Sequence, residues 1–297
     1  MRWRVRWRVR WRVRVEAAAA VLASVGRSGG TRRRTSPRSA VPTWDAQAYA
    51  AFSDERPRPF VDLLARVGAE APRTVVDLGC GPGALTAGLA DRWPGARVTG
   101  VDSSPAMIEA ARPYAGPRVS FVLGDLAGWR PEEPVDVLVS NAALQWVPDH
   151  RSLLPGFVAA LAPGGWLAFQ VPGNFDAPSH RVLREIAAEP PYADRTAGLA
   201  RPGVAGPADY LADLVHLSCR VDAWETTYLH VLTGPDPVLR WLEGTGARPY
   251  LDVLPEDLRA SFTATLRDRL AQAYPAQAWG TVLPFRRLFV VARREER

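Results

Sequence analysis

Val75-Val76-Asp77-Leu78-Gly79-Cys80-Gly81-Pro82-Gly83 decides how the rest of this chain is read. The run from Arg73 to Leu78 is short, apolar and rich in valine, and it ends in an acid and a glycine. That is the pattern of a strand buried on both faces of a parallel sheet. The glycine-rich turn then opens a helical stretch at 84–92. Glycines in such a turn accept positive φ and let a ligand approach the backbone where a Cβ would clash. In a doubly wound sheet, the first strand–helix turn lies beside the switch point where ligands bind.

Outward from this turn, strand and helix patterns alternate. Phe60, Leu63, Leu64 and Val67 recur at helical spacing, so 58–69 is predicted as an amphipathic helix. Strands are predicted at 96–101, 118–123, 134–140 and 166–171, with helices at 104–112 and 151–161 and a Pro163-Gly164-Gly165 turn before the fifth strand. Strands joined by helical segments imply βαβ units. Residues 172–215 are mostly helical and punctuated by prolines. Two long β segments at 219–232 and 282–293 enclose helical stretches at 236–244 and 255–273, which completes a seven-stranded, mostly parallel α/β sheet.

The glycine spacing is G-x-G-x-G behind Asp77, whereas the nicotinamide-dinucleotide fingerprint is G-x-G-x-x-G. The shorter form suits the methionine end of S-adenosylmethionine, although a glycine-rich turn alone also occurs in purely structural loops. A second acid, Asp102, ends the next strand and is followed by Ser103 and Ser104. A carboxylate there can accept from both ribose hydroxyls, and Asp or Ser before Pro105 also suits a helix N-cap. The third strand runs into Gly124-Asp125-Leu126, where an acid could accept from an adenine amino group. Three acids in register at one rim of the sheet weigh more than any one of them.

Charge needs dividing before it is interpreted. Residues 1–41 contain twelve arginines and one acid, so they carry +11 of a chain whose formal net charge is +6. The remainder, 42–297, therefore carries −5, and a nucleic-acid function drawn from the overall charge would be an artefact of averaging. Arg2–Val15 repeats R-W-R-V three times and ends Arg14-Val15. As a strand it would segregate arginine from Trp and Val, a ribbon suited to anionic lipid or nucleic acid. Ala17–Val25 behind those arginines faintly resembles a signal peptide, but it is weakly apolar and runs into Gly29-Gly30 and Arg32–Arg34. A simple repeat read in frame would produce the same pattern, so 1–41 is read as a disordered extension or an upstream-placed start. The fold is expected over 42–297. Every cation is arginine, which codon bias explains. Cys80 and Cys219 are far apart and give neither a metal signature nor a disulfide framework. No run of about eighteen apolar residues is present to span a membrane.

The runs VVDLGCGPG (75–83), VTGVDSSPAMIEAAR (98–112), GDLAGW (124–129) and NAALQWVPDH (141–150) resemble class I S-adenosylmethionine-dependent methyltransferases. More narrowly, the opening Trp44-Asp45-x-x-x-Tyr49-x-x-Phe52-x-x-x-Arg56 is similar to the bacterial trans-aconitate 2-methyltransferase family. So are PSHRVLREIA (178–187), VDAWETTYLH (221–230), WLEGTGARPYLD (241–252) and LPFRRLFVVARR (283–294). The resemblance covers 43–294 and implies a Rossmann-like domain with a helical insertion over the substrate. It implies S-adenosylmethionine as cofactor, with Gly79, Gly81 and Gly83 against the methionine portion behind Asp77. It also implies Asp102, with Ser103, at the ribose, Asp125 and Leu126 at the adenine edge, and Asn141 and Ala142 at the methyl-transfer site. Trp44 and Tyr49 would help close the pocket. The expected partner is a small tricarboxylate, with no nucleic acid, membrane or metal, for a monomeric cytoplasmic enzyme.

An ionised carboxylate needs no general base to attack a methyl sulfonium, so orientation is the task and bidentate arginines are the natural tools. Arg248, which follows Gly244-Thr245-Gly246 on a stretch suited to a lid, is the leading candidate. Arg286, Arg287, Arg56 and His180 follow, with Tyr49 beside them, each weighed against the plainer role of a solvated surface group. Glu189-Pro190-Pro191-Tyr192 imitates the N-P-P-Y motif of nucleic-acid amino methyltransferases, but it follows a helix and not the fourth strand, so it is read as a helix-ending loop. Tryptophans 146, 166, 224, 241 and 279 are read as core and pocket wall. Two alternatives stand beside the leading expectation. One is methylation of another small acid, such as a carrier-bound malonyl group or a secondary metabolite; the other is nucleic-acid binding through the basic tail.

Overall fold

The computed structural model describes residues 57–200 and 203–296. Trp44, Tyr49, Arg56 and the boundary expected near Pro42 lie outside the described residues. The first described helix, α1 (Pro57–Leu64), buries Phe60, Leu63 and Leu64, with Val67 beneath the following turn, which is the face its spacing predicts.

The sheet is built around β1 (Thr74–Leu78). It pairs in parallel with β2 (Arg97–Asp102) on one side and with β4 (Val135–Asn141) on the other. β2 pairs in parallel with β3 (Val119–Leu123), and β4 with β5 (Leu161–Pro172). With β6 (Cys219–Leu232) and β7 (Thr281–Arg294) the order is β3-β2-β1-β4-β5-β7-β6. The chain steps outward from β1 to β3 and then returns to the other flank of β1, so the switch point falls between β1 and β4. Helices α2 (Ala84–Arg92), α3 (Pro105–Ala111) and α4 (Leu154–Ala160) make the crossovers β1–β2, β2–β3 and β4–β5. Val75, Val76 and Leu78 in β1 and Val135, Val137, Leu138 and Val139 in β4 are buried, so the two central strands are mostly apolar, interrupted by Asp77 and Asp136.

One expected boundary moved. Pro163-Gly164-Gly165, read as a turn before a strand at 166, lies inside β5 as a bulge, because Val135 is opposite Leu161 while Val137 is opposite Trp166. Gly164 has φ +72, and a Cβ on Gly165 would stand 2.8 Å from the Ala162 carbonyl oxygen. The glycines thus let the strand absorb an excursion without losing its register beyond Trp166. The neighbouring helix is shorter than predicted, with a 3-10 turn at His150–Leu153 before α4.

By internal contacts the chain divides into two units. The first comprises the described residues up to Val171 with Gly206–Trp224 and the segment from Leu288 onward, and it includes α7 (Pro207–His216). The second comprises Pro172–Ala205 and Glu225–Arg287. It contains α5 (Pro178–Ala187), α6 (Ala193–Thr196), α8 (Pro237–Glu243), α9 (Arg248–Val253) and α10 (Glu256–Ala273). The short helices α6 and α9 were not separable in the sequence. Within this unit Tyr192 is buried, its hydroxyl donating to Ser261 and its ring edge-on to Phe262 at 5.0 Å, while Glu189 pairs with Arg269 at 2.8 Å. The 189–192 motif is therefore a helix-ending packed loop, as predicted. Trp241 is core, but Trp279 is 60% exposed beside a groove of about 550 Å³ lined by Ala177, Tyr274 and Val282 among others.

Candidate functional site

The end of β1 is held shut against β2 and β4. Gly79 and Cys80 both donate their N–H to the Val101 carbonyl, at 2.7 and 3.1 Å. Gly79 has φ +77, and a Cβ there would come within 2.2 Å of the Ala143 Cβ. Gly81 has φ +54 and open space where its Cβ would be. Gly83 is the N-cap residue of α2. The first of these glycines thus serves packing between β1 and the turn after β4, whereas Gly81 has open space beside it on the loop. The sequence reading gave both the same role, and the structure separates them.

The three acids are not level. Asp77 is opposite Gly100, two residues before Asp102, and Asp102 is opposite Leu123, two residues before Asp125. The acids therefore step outward strand by strand, a correction to the expectation that they stand in register. Asp77 is 2% exposed, and its Oδ2 accepts from the Thr86 hydroxyl at 2.6 Å while Oδ1 has no hydrogen bond. Burial pushes its carboxyl up to about 7, with the Thr86 bond opposing and Asp102 adding to the rise. Asp102 is half-buried, with Oδ2 accepting from the Gly81 N–H and Oδ1 from the Ser104 N–H, both at 2.9 Å. Burial raises its carboxyl as well, against those two bonds. Ser104 is the N-cap of α3, with Pro105 in the first turn, so the cap and the carboxylate coexist as expected. Asp125 is exposed and accepts from the Ala127 N–H at 3.0 Å.

A carboxylate has about four acceptor positions. Asp102 uses two of them on backbone N–H groups. It retains capacity for a diol at its edge, and together with the open space at Gly81 this fits a nucleoside-bearing cation.

At the end of β4, Asn141 accepts from the buried Gln170 side chain at 2.6 Å. Ala142 is held with φ +54, its N–H donating to the Gln170 carbonyl and its own carbonyl accepting from Gln145 Nε2 at 2.6 Å. Sequence reasoning singled out Asn141 and Ala142 but not the residues that hydrogen-bond to them and to Asp77, namely Gln170, Gln145 and Thr86. Gln170 is visible in sequence only as one polar residue in an apolar strand, and its partner is set by the β4–β5 register.

The remaining candidates lie in the second unit. His180, on α5, is close to Ser179 Oγ at 3.2 Å, and a Cβ on Gly246 would stand 3.2 Å from its Nε2. Arg248 begins α9, and its Nε is 3.6 Å from Asp252 and buried without a hydrogen bond. Arg248 is thus the first residue of a helix that follows Gly244–Gly246. Arg287 is buried with its guanidinium 4.5 Å over the Phe285 ring. Arg286 is engaged by Glu225 and by the Gly173 carbonyl.

His180 also gives a stability prediction. Burial first, and then Arg184, lower its imidazole to about 4. The unfolded chain takes up a proton near pH 6.5 that the folded chain refuses until about 4, so stability falls as pH drops through that window. Relative to His180→Gln, the protein should lose on the order of 2–3 kcal/mol between pH 7 and pH 4 in chemical denaturation. A difference independent of pH would show that the imidazole is solvated.

Residues 75–165 match the family model described as a methyltransferase domain. The chain is 53% identical over 270 residues to the trans-aconitate 2-methyltransferase of Streptomyces coelicolor, covering 87% of this chain and 89% of that protein. It is 52% identical over 267 residues to the protein of the same name from Streptomyces avermitilis, covering 86% and 99% respectively. Among solved structures, a chain in the complex between the Haloferax volcanii Trm112 methyltransferase activator and a methyltransferase aligns with a TM-score of 0.53 at 21% identity, covering 85% of this chain and 94% of that one. At that identity the likeness concerns the fold.

Proposed function

The chain belongs to the trans-aconitate 2-methyltransferase family of class I S-adenosylmethionine-dependent methyltransferases, and from that premise we propose that it methylates one carboxylate of trans-aconitate to give the monomethyl ester. The observation that carries the substrate is the half-identical match along nearly the full length of those relatives. The open space at Gly81 and the half-buried Asp102 support the cofactor independently. When bound, S-adenosylmethionine supplies a methyl group on a sulfonium whose leaving group is a neutral thioether.

In this reading Asp102, with Ser103 beside it, takes the ribose hydroxyls. Asp125 and Leu126 take the adenine edge, and Asp77, Gly79, Gly81 and Gly83 shape the methionine end. Asn141 and Ala142 form the methyl-transfer rim, with the Asn141 amide turned by Gln170. The substrate's carboxylates are ionised at neutral pH, so no residue has to remove a proton. The chain contributes orientation, which supplies roughly 7–11 kcal/mol of such a barrier when geometry is exact.

Arg248 is the leading substrate contact, since its Nε is buried without a hydrogen bond and its ion pair with Asp252 is long. Arg287 and His180 of the same unit follow. We read the enzyme as a cytoplasmic monomer acting on a small molecule without nucleic-acid or membrane partners. Among the described residues no helix is long and apolar enough to cross a membrane.

The test is transfer of radiolabelled methyl to trans-aconitate, with citrate and cis-aconitate alongside. Strong labelling of trans-aconitate is expected. Arg248→Ala should raise KM for it roughly tenfold or more while leaving S-adenosylhomocysteine affinity nearly unchanged. Equal loss of both would remove Arg248 from the substrate site. Tight cofactor binding without labelling would redirect the substrate to another small carboxylic acid.

A further inference from the structure

We propose that His150 and Tyr210 are positioning residues for the methyl-transfer rim, acting through a buried bond that fixes the turn after β4. The proposal rests on the reading of Asn141 and Ala142 as that rim.

The turn is held in an arrangement it would not adopt by itself. Ala142 and Asp149 both have left-handed backbone conformations, with φ of 54 and 50. An aspartate tolerates that conformation comparatively well, but for Ala142 it costs energy and needs support from its surroundings. Gln145, between them, donates to the Ala142 carbonyl and keeps a buried Oε1 without a hydrogen bond. Something outside the turn must therefore hold it.

His150 is the piece that reaches outside. Its Nε2 is 2.6 Å from the Tyr210 hydroxyl on α7. Burial lowers the imidazole below its ordinary value, opposed by Val147 and Asp149 and assisted by Arg151, which favours the neutral ring at neutral pH. A neutral ring donates from one nitrogen and accepts at the other. Its tautomer sets which way the bond to the tyrosine hydroxyl runs. Tyr210 is fully buried, and its ring meets Phe169 edge-on at 5.3 Å. Phe169 precedes Gln170 on β5, and Gln170 holds both Asn141 and Ala142.

The contacts close a circuit: Asn141 and Ala142, the turn, His150, Tyr210, Phe169, Gln170, and back to Asn141. A bidentate pair, Arg151 to Asp213 at 2.7 and 2.8 Å, ties the same segment to α7 but is part-exposed. Its bidentate geometry places it at the stronger end of surface ion pairs, although water and salt screen it. The His–Tyr bond, buried where water does not screen it, adds positional definition to that tie, because a hydrogen bond is stronger in a low-dielectric interior.

The test uses the full chain with Tyr210→Phe, which keeps the ring against Phe169 and deletes the hydroxyl. It is set beside His150→Leu, the double variant, and His150→Gln, which can still donate and accept. Misplacement of about an ångström costs up to a hundredfold in rate, so Tyr210→Phe and His150→Leu should lower kcat about tenfold or more. KM and the Kd for S-adenosylhomocysteine should stay within about twofold. The double variant should be no worse than either single one, and His150→Gln should recover most of kcat. Hydrogen exchange across 141–150 should accelerate in Tyr210→Phe alone, a readout that does not depend on which acid is the substrate. Unchanged exchange, additive losses, or kcat falling only in step with the melting temperature would each overturn the proposal. A wild-type enzyme inactive on trans-aconitate would sink the substrate reading, while the exchange result would still decide the positioning role.

Discussion

Asp102→Ala is expected to weaken S-adenosylhomocysteine binding by at least about a hundredfold, from the loss of two charged acceptors for hydroxyl groups at roughly 1.5–3 kcal/mol each. The same carboxylate holds the Gly81 N–H and the Ser104 N–H. Its removal therefore also loosens the glycine turn and the start of α3. The part-exposed backbone groups would find water, so the cost to folding should be smaller than the cost to binding. Asp102→Asn keeps one acceptor oxygen and should fall between the two proteins. Titration calorimetry with S-adenosylhomocysteine reads the effect directly. A Kd for Asp102→Ala within threefold of the parent would remove Asp102 from the nucleoside site and, with it, the strongest physical support for the cofactor's pose.

What the sequence made legible follows from distance along the chain. Val75–Leu78 and Val135–Ser140 announce buried parallel strands because their composition alone excludes a solvated face. The helical face of Phe60, Leu63 and Leu64 is legible for the same reason. Asp102 could be placed because it ends a strand and precedes a cap, both local signals. Gln170 was missed because its importance lies in being opposite Asn141, a relation set by the β4–β5 register after a bulge that sequence did not show. The His150–Tyr210 bond spans sixty residues and was invisible for the same reason. Arg286 and Arg287 are indistinguishable neighbours in sequence. Strand alternation sends one to Glu225 and buries the other over Phe285, and only the structure says which.

The glycine turn offers a prediction in which stability and affinity separate. Gly79→Ala would place a Cβ 2.2 Å from the Ala143 Cβ in a backbone with φ +77. Overpacking costs about 1–3 kcal/mol and a left-handed non-glycine residue about 1–2 more, so a loss of roughly 2–5 kcal/mol is expected. No flexible side chain is available to yield, because Ala143 is buried at the head of the turn after β4. The strain must therefore displace that turn or the Gly79 N–H from the Val101 carbonyl. Gly81→Ala meets nothing within 4 Å and bears only the backbone penalty at φ +54, about 1–2 kcal/mol. If that open space receives the cofactor, that methyl occupies the ligand's space, and Gly81→Ala should lose at least about tenfold in S-adenosylhomocysteine affinity while staying well folded. Denaturant unfolding and calorimetry on both variants separate the two roles. Equal destabilisation would mean that Gly81 is also a packing glycine; undiminished affinity in Gly81→Ala would mean that the cofactor approaches the loop from another side.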